Sequence, residues 1–162
     1  MYDYYRAADR QAAVVHPDSG RAGRSNPAFD AVDAKWIDPG LVLGQLVAFI
    51  RDVPYSVGLV ETVALYPPPE GAPKSLEEWE ALSEDSPYHE GPWIEELPAD
   101  LRDALAGVPD DRLAGLAERW RQIEEFFTPP DAGYLTTLIT ELRGLARRAQ
   151  AEEQMIYCWT CV

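Results

Sequence analysis

Apolar and polar positions follow two rhythms along this chain: a two-residue alternation near both ends, and a three-to-four-residue stripe in the C-terminal third. At the N-terminus, YDYYRA (2–7) alternates weakly and is aromatic, which predicts a first strand. Asp9 then caps a short helix running to about Val15. HPDSGRAGRSNP (16–27) is rich in Gly, Pro, Ser and Asn and reads as a mobile loop. Val32, Ala34 and Trp36 alternate with Asp33 and Lys35, which suits either a strand or the approach to a helix. Asp38–Pro39 is a helix start: a carboxylate accepts the orphan N–H groups and Pro tolerates the first turn. That helix carries Val42, Leu46, Phe49 and Ile50 on one side and stops before Pro54.

VETVALY (60–66) is β-branched and alternating, and is read as a strand. PPPEGAP interrupts it. SLEEWEAL follows with a capping box, Ser75 with Glu78 three residues on. SEDSPYHEGP is read as a loop and WIEEL (93–97) as a short strand. Residues 66–98 hold seven of the fourteen prolines, so this stretch is a long irregular excursion, and such excursions often carry function.

The C-terminal third is helical. PADLRDALAGV forms a short helix ending near Gly107. Asp110 caps a second, with Leu113, Leu116, Ala117, Trp120, Ile123 and Phe127 on one stripe. Thr128, Pro129 and Asp131 open a third, whose apolar face runs from Leu135 to Ala149, and whose last turns carry Arg143, Arg147 and Arg148 towards the negative end of the helix dipole. QMIYCWTCV closes the chain as a strand. Met155, Tyr157, Trp159 and Cys161 share one face, while Ile156, Cys158, Thr160 and Val162 share the other. Both faces are largely apolar, which predicts a central strand covered on each side.

This alternation disposes of the one catalytic-looking motif. Cys158 and Cys161, three apart on a strand, point away from each other, whereas a redox or chelating C-x-x-C needs converging sulfurs on a turn or helix start. Both are read as buried small hydrophobes. A zinc site would need His16 and His89 as well, and the spacing matches no known finger or knuckle.

The chain has 162 residues with 46% apolar and 26% charged, enough for one core and one domain, 1–162. The N-terminus shows no basic region followed by an apolar one, and the longest apolar run, LVLGQLVAFI (41–50), is too short for a bilayer, so a cytoplasmic protein is expected. The net charge is −14. That argues against nucleic acid, which needs a basic stripe, and against an anionic membrane surface; it favours a basic protein partner, or simply solubility. The charge is concentrated: residues 76–103 hold ten acids against Arg102 alone. Arg outnumbers Lys twelve to two and Ala is abundant, a bias that reflects a GC-rich genome rather than a function.

No nucleophile elbow, phosphate loop or dinucleotide fingerprint occurs, and no cofactor is implied; GRSNP (23–27) lacks the final Gly of an elbow. Asp38 is better explained as a cap and Asp33 as solvent-facing, and Glu95 and Glu96 diverge on a strand, so no carboxylate pair converges for acid–base work and no catalytic residue is assigned. The acidic excursion is the better candidate site. Its partner-binding candidates are Trp79, Glu84, Asp85, Tyr88, His89, Trp93, Glu95 and Glu96: aromatic anchors among steering charges. The plain alternative is that these rings pin a loop to the protein's own core and the acids are merely solvated.

Four stretches together resemble the YfbM-like family of uncharacterised small bacterial proteins. These are the aromatic first strand, VDAKWIDPGLVL with Asp33, Lys35 and Trp36, the helix LPADLRDAL, and LITELRGLARRAQAEEQMIYCWTCV at the end. The middle, 52–92, departs from that pattern in length and proline content. The resemblance implies a single α+β domain with a small mixed or antiparallel sheet that holds both terminal strands, packed with amphipathic helices; it implies no activity. The leading expectation is a non-enzymatic binding module (adaptor, inhibitor or immunity-type) engaging a basic partner. The second is a small enzyme or ligand-binding domain whose pocket is roofed by 66–98 and lined by Trp36, Tyr4 or His89. A third is a dimer formed through a sheet edge.

Overall fold

A computed structural model describes residues 1–22 and 29–161, so GRSNP and the later part of the 16–27 loop lie outside the described residues. Five strands form one antiparallel sheet in the order β2-β1-β5-β4-β3: β1 (Tyr2–Ala7), β2 (Asp30–Asp33), β3 (Val63–Tyr66), β4 (Trp93–Glu96) and β5 (Met155–Thr160). Of the two sheet types expected, the antiparallel one is realised. The last strand to be made is the central one, between β1 and β4, with both faces covered as its alternation requires.

Among the described residues, seven helices complete an α+β domain. These are α1 (Arg10–Ala13), α2 (Val42–Arg51), α3 (Leu76–Glu80), α4 (Pro87–Glu90), α5 (Ala99–Ala106), α6 (Leu113–Trp120) and α7 (Ala132–Ala151). None is long and apolar enough to cross a membrane. The larger core lies between the sheet and a layer of α2, α5, α6 and α7, where Tyr4, Val32, Ile156 and Cys158 meet Leu46, Leu101, Trp120 and Leu142. α7 lies across β2, β1 and β5, and its apolar stripe from Leu135 to Ala149 is buried throughout. Asp131 caps it, accepting a bond from the Tyr134 N–H at 2.9 Å.

The opposite face holds a smaller core of Tyr5, Ala7, Ala13, Ile94, Tyr157 and Trp159. It is closed by α1 and the chain after it. Arg21 is fully buried there, its guanidinium stacked 4.6 Å from the Phe29 ring and 5.2 Å from that of Tyr5. The buried Asp3 carboxylate accepts the Arg21 and Ala22 N–H groups, and the Trp159 indole donates to the Pro17 carbonyl at 2.6 Å. Those bonds hold residues 17–22, the described part of a stretch the composition marks as mobile.

Several local expectations are corrected. β2 runs from Asp30 to Asp33; Lys35 then takes a left-handed backbone (φ 34°), so Trp36 leaves the face of Val32 and Ala34 and is 81% exposed. Asp38 does cap, accepting from Leu41 and Val42 N–H, but the α-helix proper starts at Val42 because Pro39–Leu41 form a preceding turn. Asp110 does not cap α6: its carboxylate accepts from Arg143 Nη1 at 2.6 Å, and a 3₁₀ turn, Asp110–Arg112, precedes the helix. α6 ends at Trp120, so the stripe breaks; Phe126 packs on Trp120 and Phe127 is wholly exposed. In SEDSPYHEGP, the expected loop contains one helical turn, α4, capped by Ser86. Arg143, Arg147 and Arg148 bond specific groups, the Val108 and Ala106 carbonyls and the Asp30 carboxylate, rather than merely facing a dipole.

Candidate functional site

The antiparallel registers set up the site. Tyr2, Thr160 and Trp93 stand side by side across β1, β5 and β4; one row deeper stand Tyr4, Cys158, Glu95 and Ala64. Paired residues on neighbouring strands share a face, so both rows point to the helical side. α7 covers the β2-β1-β5 half of that side. Over the β4-β3 half lies a cleft of about 560 Å³, roofed by the 66–98 excursion.

Its floor is Tyr2, Thr62, Ala64, Trp93, Glu95 and Thr160; Asp38, Pro39 and Gly40 form one wall; Tyr66, Pro69, Trp79 and Tyr88 stand on the excursion's side. The excursion is held by its own bonds. The Tyr88 hydroxyl donates to the Pro68 carbonyl at 2.7 Å, Ser75 caps α3 through the Glu78 N–H, and Glu78 reaches back to the Lys74 N–H. Gly91 has φ 83°, and a Cβ there would meet the Trp93 ring at 2.7 Å, so the glycine lets the indole lie against the backbone.

Two carboxylates line the cleft, and no Lys, Arg or His does so among the described residues. Glu95 Oε1 accepts from the Thr62 hydroxyl at 2.7 Å, while Oε2 has no hydrogen bond to a described residue. Asp38 spends its oxygens on the α2 cap. The Tyr2 phenol is raised above its ordinary pKa by burial first and by the charge of Asp38 next.

Of the eight expected partner-binding residues, Trp79, Tyr88, Trp93 and Glu95 come together in the cleft. Glu84 and Asp85 are exposed on the turn between α3 and α4. His89 is exposed and does not line the cleft; its ring lies 5.7 Å from that of Trp79, tilted by 60°. Glu96 faces the other side of the sheet and holds Arg10 in a bidentate pair. The second expectation placed Trp36, Tyr4 or His89 in the pocket, and none lines it: Tyr4 is fully buried in the larger core and donates to the Ile37 carbonyl at 2.6 Å, on the part of the sheet that the helices cover. Tyr2, Thr62 and Thr160 were not singled out, and Asp38 was read as a cap rather than as part of a site. Tyr2 and Thr160 were legible as strand positions, but their meeting depends on a register that one sequence does not show.

The cysteines point to opposite sides as the alternation predicts, but Cys161 lies just beyond β5 and is only partly buried. Cys158 is fully buried on the helical side, where burial pushes its thiol up to about 12. Cys161 packs with the smaller core on the opposite side. No group of three or more His, Cys, Asp or Glu that could hold a metal occurs among the described residues.

Fold and cleft together define an α+β protein with an acidic, aromatic-walled cleft at one end of an antiparallel sheet. Comparison with family models, curated proteins and solved structures found no match.

Proposed function

We propose that this protein is a non-enzymatic, cytoplasmic binding module that engages a basic protein partner over the acidic excursion and the cleft beneath it. One observation carries the reading. Glu77, Glu80, Glu84, Asp85 and Glu90 are all exposed and form no ion pair with a described residue, on the excursion that roofs a cleft lined by Trp79 and Trp93. Unpaired charge around aromatic anchors steers a complementary partner and holds it after docking. The divergence of Glu95 and Glu96 removes the nearest candidate pair for acid–base chemistry, which favours binding over catalysis. Kinship with the YfbM-like family is proposed on the same footing and adds no activity.

The test is affinity capture from the native host with wild-type and Trp93→Ala bait, at salt of about 0.05 M and about 0.5 M. A stoichiometric basic protein is expected that weakens at high salt and with the variant. Capture indifferent to both would refute the module. A small-molecule pocket is the second reading, favoured by the cleft's volume, which lies within the usual range of about 300–1,000 Å³ for ligand sites.

A further inference from the structure

We propose that the cleft receives a single organic cation, an alkylammonium or guanidinium group on an apolar body, with Glu95 as counter-ion and Trp93, Tyr2 and Trp79 as its aromatic lining. The inference rests on the cleft being the protein's binding site, and adds the chemistry it selects.

The lining is one-signed. Asp38 and Glu95 contribute negative charge and no basic side chain answers them among the described residues. Asp38 is committed to two backbone N–H groups, but Glu95 is held by Thr62 through one oxygen only. An anion would be repelled here. A neutral ligand would cover the Glu95 carboxylate and leave its charge unpaired, which is costly out of water. A cation offsets that cost and also gains from the indole and phenol faces, whose quadrupoles attract positive charge. A bare metal ion fits badly: hard cations take six or more oxygens, and the described residues gather no group of three or more metal ligands. A volume of about 560 Å³ instead suits an onium head with its carbon substituents. The same head can arrive on a partner's Lys or Arg side chain or as a free amine.

The test titrates the full chain with choline, butylammonium and butylguanidinium, and with 3,3-dimethylbutanol as the neutral isostere of choline, following the Trp93 indole by NMR. At least one cation should shift that resonance and bind about tenfold or more tighter than the alcohol, and Glu95→Gln should weaken it about tenfold while the unfolding midpoint holds. Equal binding of choline and its isostere, indifference to Glu95→Gln, or no shift with any of the three cations overturns the inference. A neutral peptide carrying one Lys or one Arg separates the sources. Tighter binding than the matching free cation assigns the cleft to a partner's side chain; equal or weaker binding assigns it to a free cation. The module reading fails separately. Cation binding with no basic protein captured refutes the module alone, whereas a captured partner with no shift from any of the three cations refutes the cation site alone.

Discussion

Cys158 shows how burial alone silences a reactive group. Its thiol lies between Tyr4 and Glu95 in one cross-strand row and is pushed up to about 12 because a thiolate there would lose its hydration. At about pH 8 a thiol reagent should leave Cys158 untouched in the native protein and modify it only after denaturation; rapid native labelling would contradict the buried-strand account. Burial likewise raises Tyr157 to about 12 and Tyr4 and Tyr5 well above their ordinary value. The unfolded chain gives up these protons first, from the ordinary 9.0 of Cys and 10.0 of Tyr. The stability they contribute is therefore complete below about pH 9 and lost as pH rises towards about 12. Phenolate absorbance of these tyrosines should grow together with loss of helical circular dichroism, not ahead of it. At the acid end, Arg148 first and Arg6 next hold the Asp30 carboxyl below its ordinary value. That stabilisation is present above the ordinary carboxylate value and lost as pH falls through the depressed one. Asp30→Asn should cost about 1 kcal/mol at neutral pH, discounted for the half-exposed Arg148, and flatten the acid limb of the stability curve.

Among the elements, those with a long single rhythm are the best recovered, although β5 covers only Met155–Thr160 of the expected 154–162 and Val162 lies outside the described residues. α7 and β5 each have a complete apolar period and a clear start, Asp131 for the helix and the polar turn after Ala151 for the strand. Leu142→Ala at the centre of the α7 stripe should destabilise by about 2–4 kcal/mol in urea unfolding, since it removes a fully packed side chain. Elements set by competition between nearby groups were less legible. Asp110 had two possible uses, a cap or an ion pair, and the approach of Arg143 from α7 decided for the pair. Before β4 the excursion takes a left-handed backbone at Gly91. Gly91→Ala would need both a left-handed alanine and a shift of the Trp93 ring, and is expected to cost about 1–2 kcal/mol and to perturb the Trp93 indole resonance. An unchanged indole signal would show that the glycine does not shape the cleft.

At the scale of the whole molecule, a five-stranded sheet meets a helical layer that covers its β2-β1-β5 half, and the acidic excursion roofs the remainder. Most of the −14 charge is carried near that roof, so association with a basic partner should slow as salt rises while the off-rate changes less; stopped-flow measurement at two ionic strengths checks this. The sequence by itself determined that strands and helices both occur, the two terminal strands, the central place of the cysteine strand, the divergence of Glu95 from Glu96 and the uneven charge. These follow from side-chain period and composition, which are local properties of the chain. Only the tertiary structure decided that Tyr2 and Thr160 join Trp93 at one end of the sheet, that Asp38 becomes a wall, and that Trp36, Tyr4 and His89 stay out of the cleft. Those facts depend on strand register and on which half of the sheet the helices cover, and both are set by packing between residues far apart along the chain.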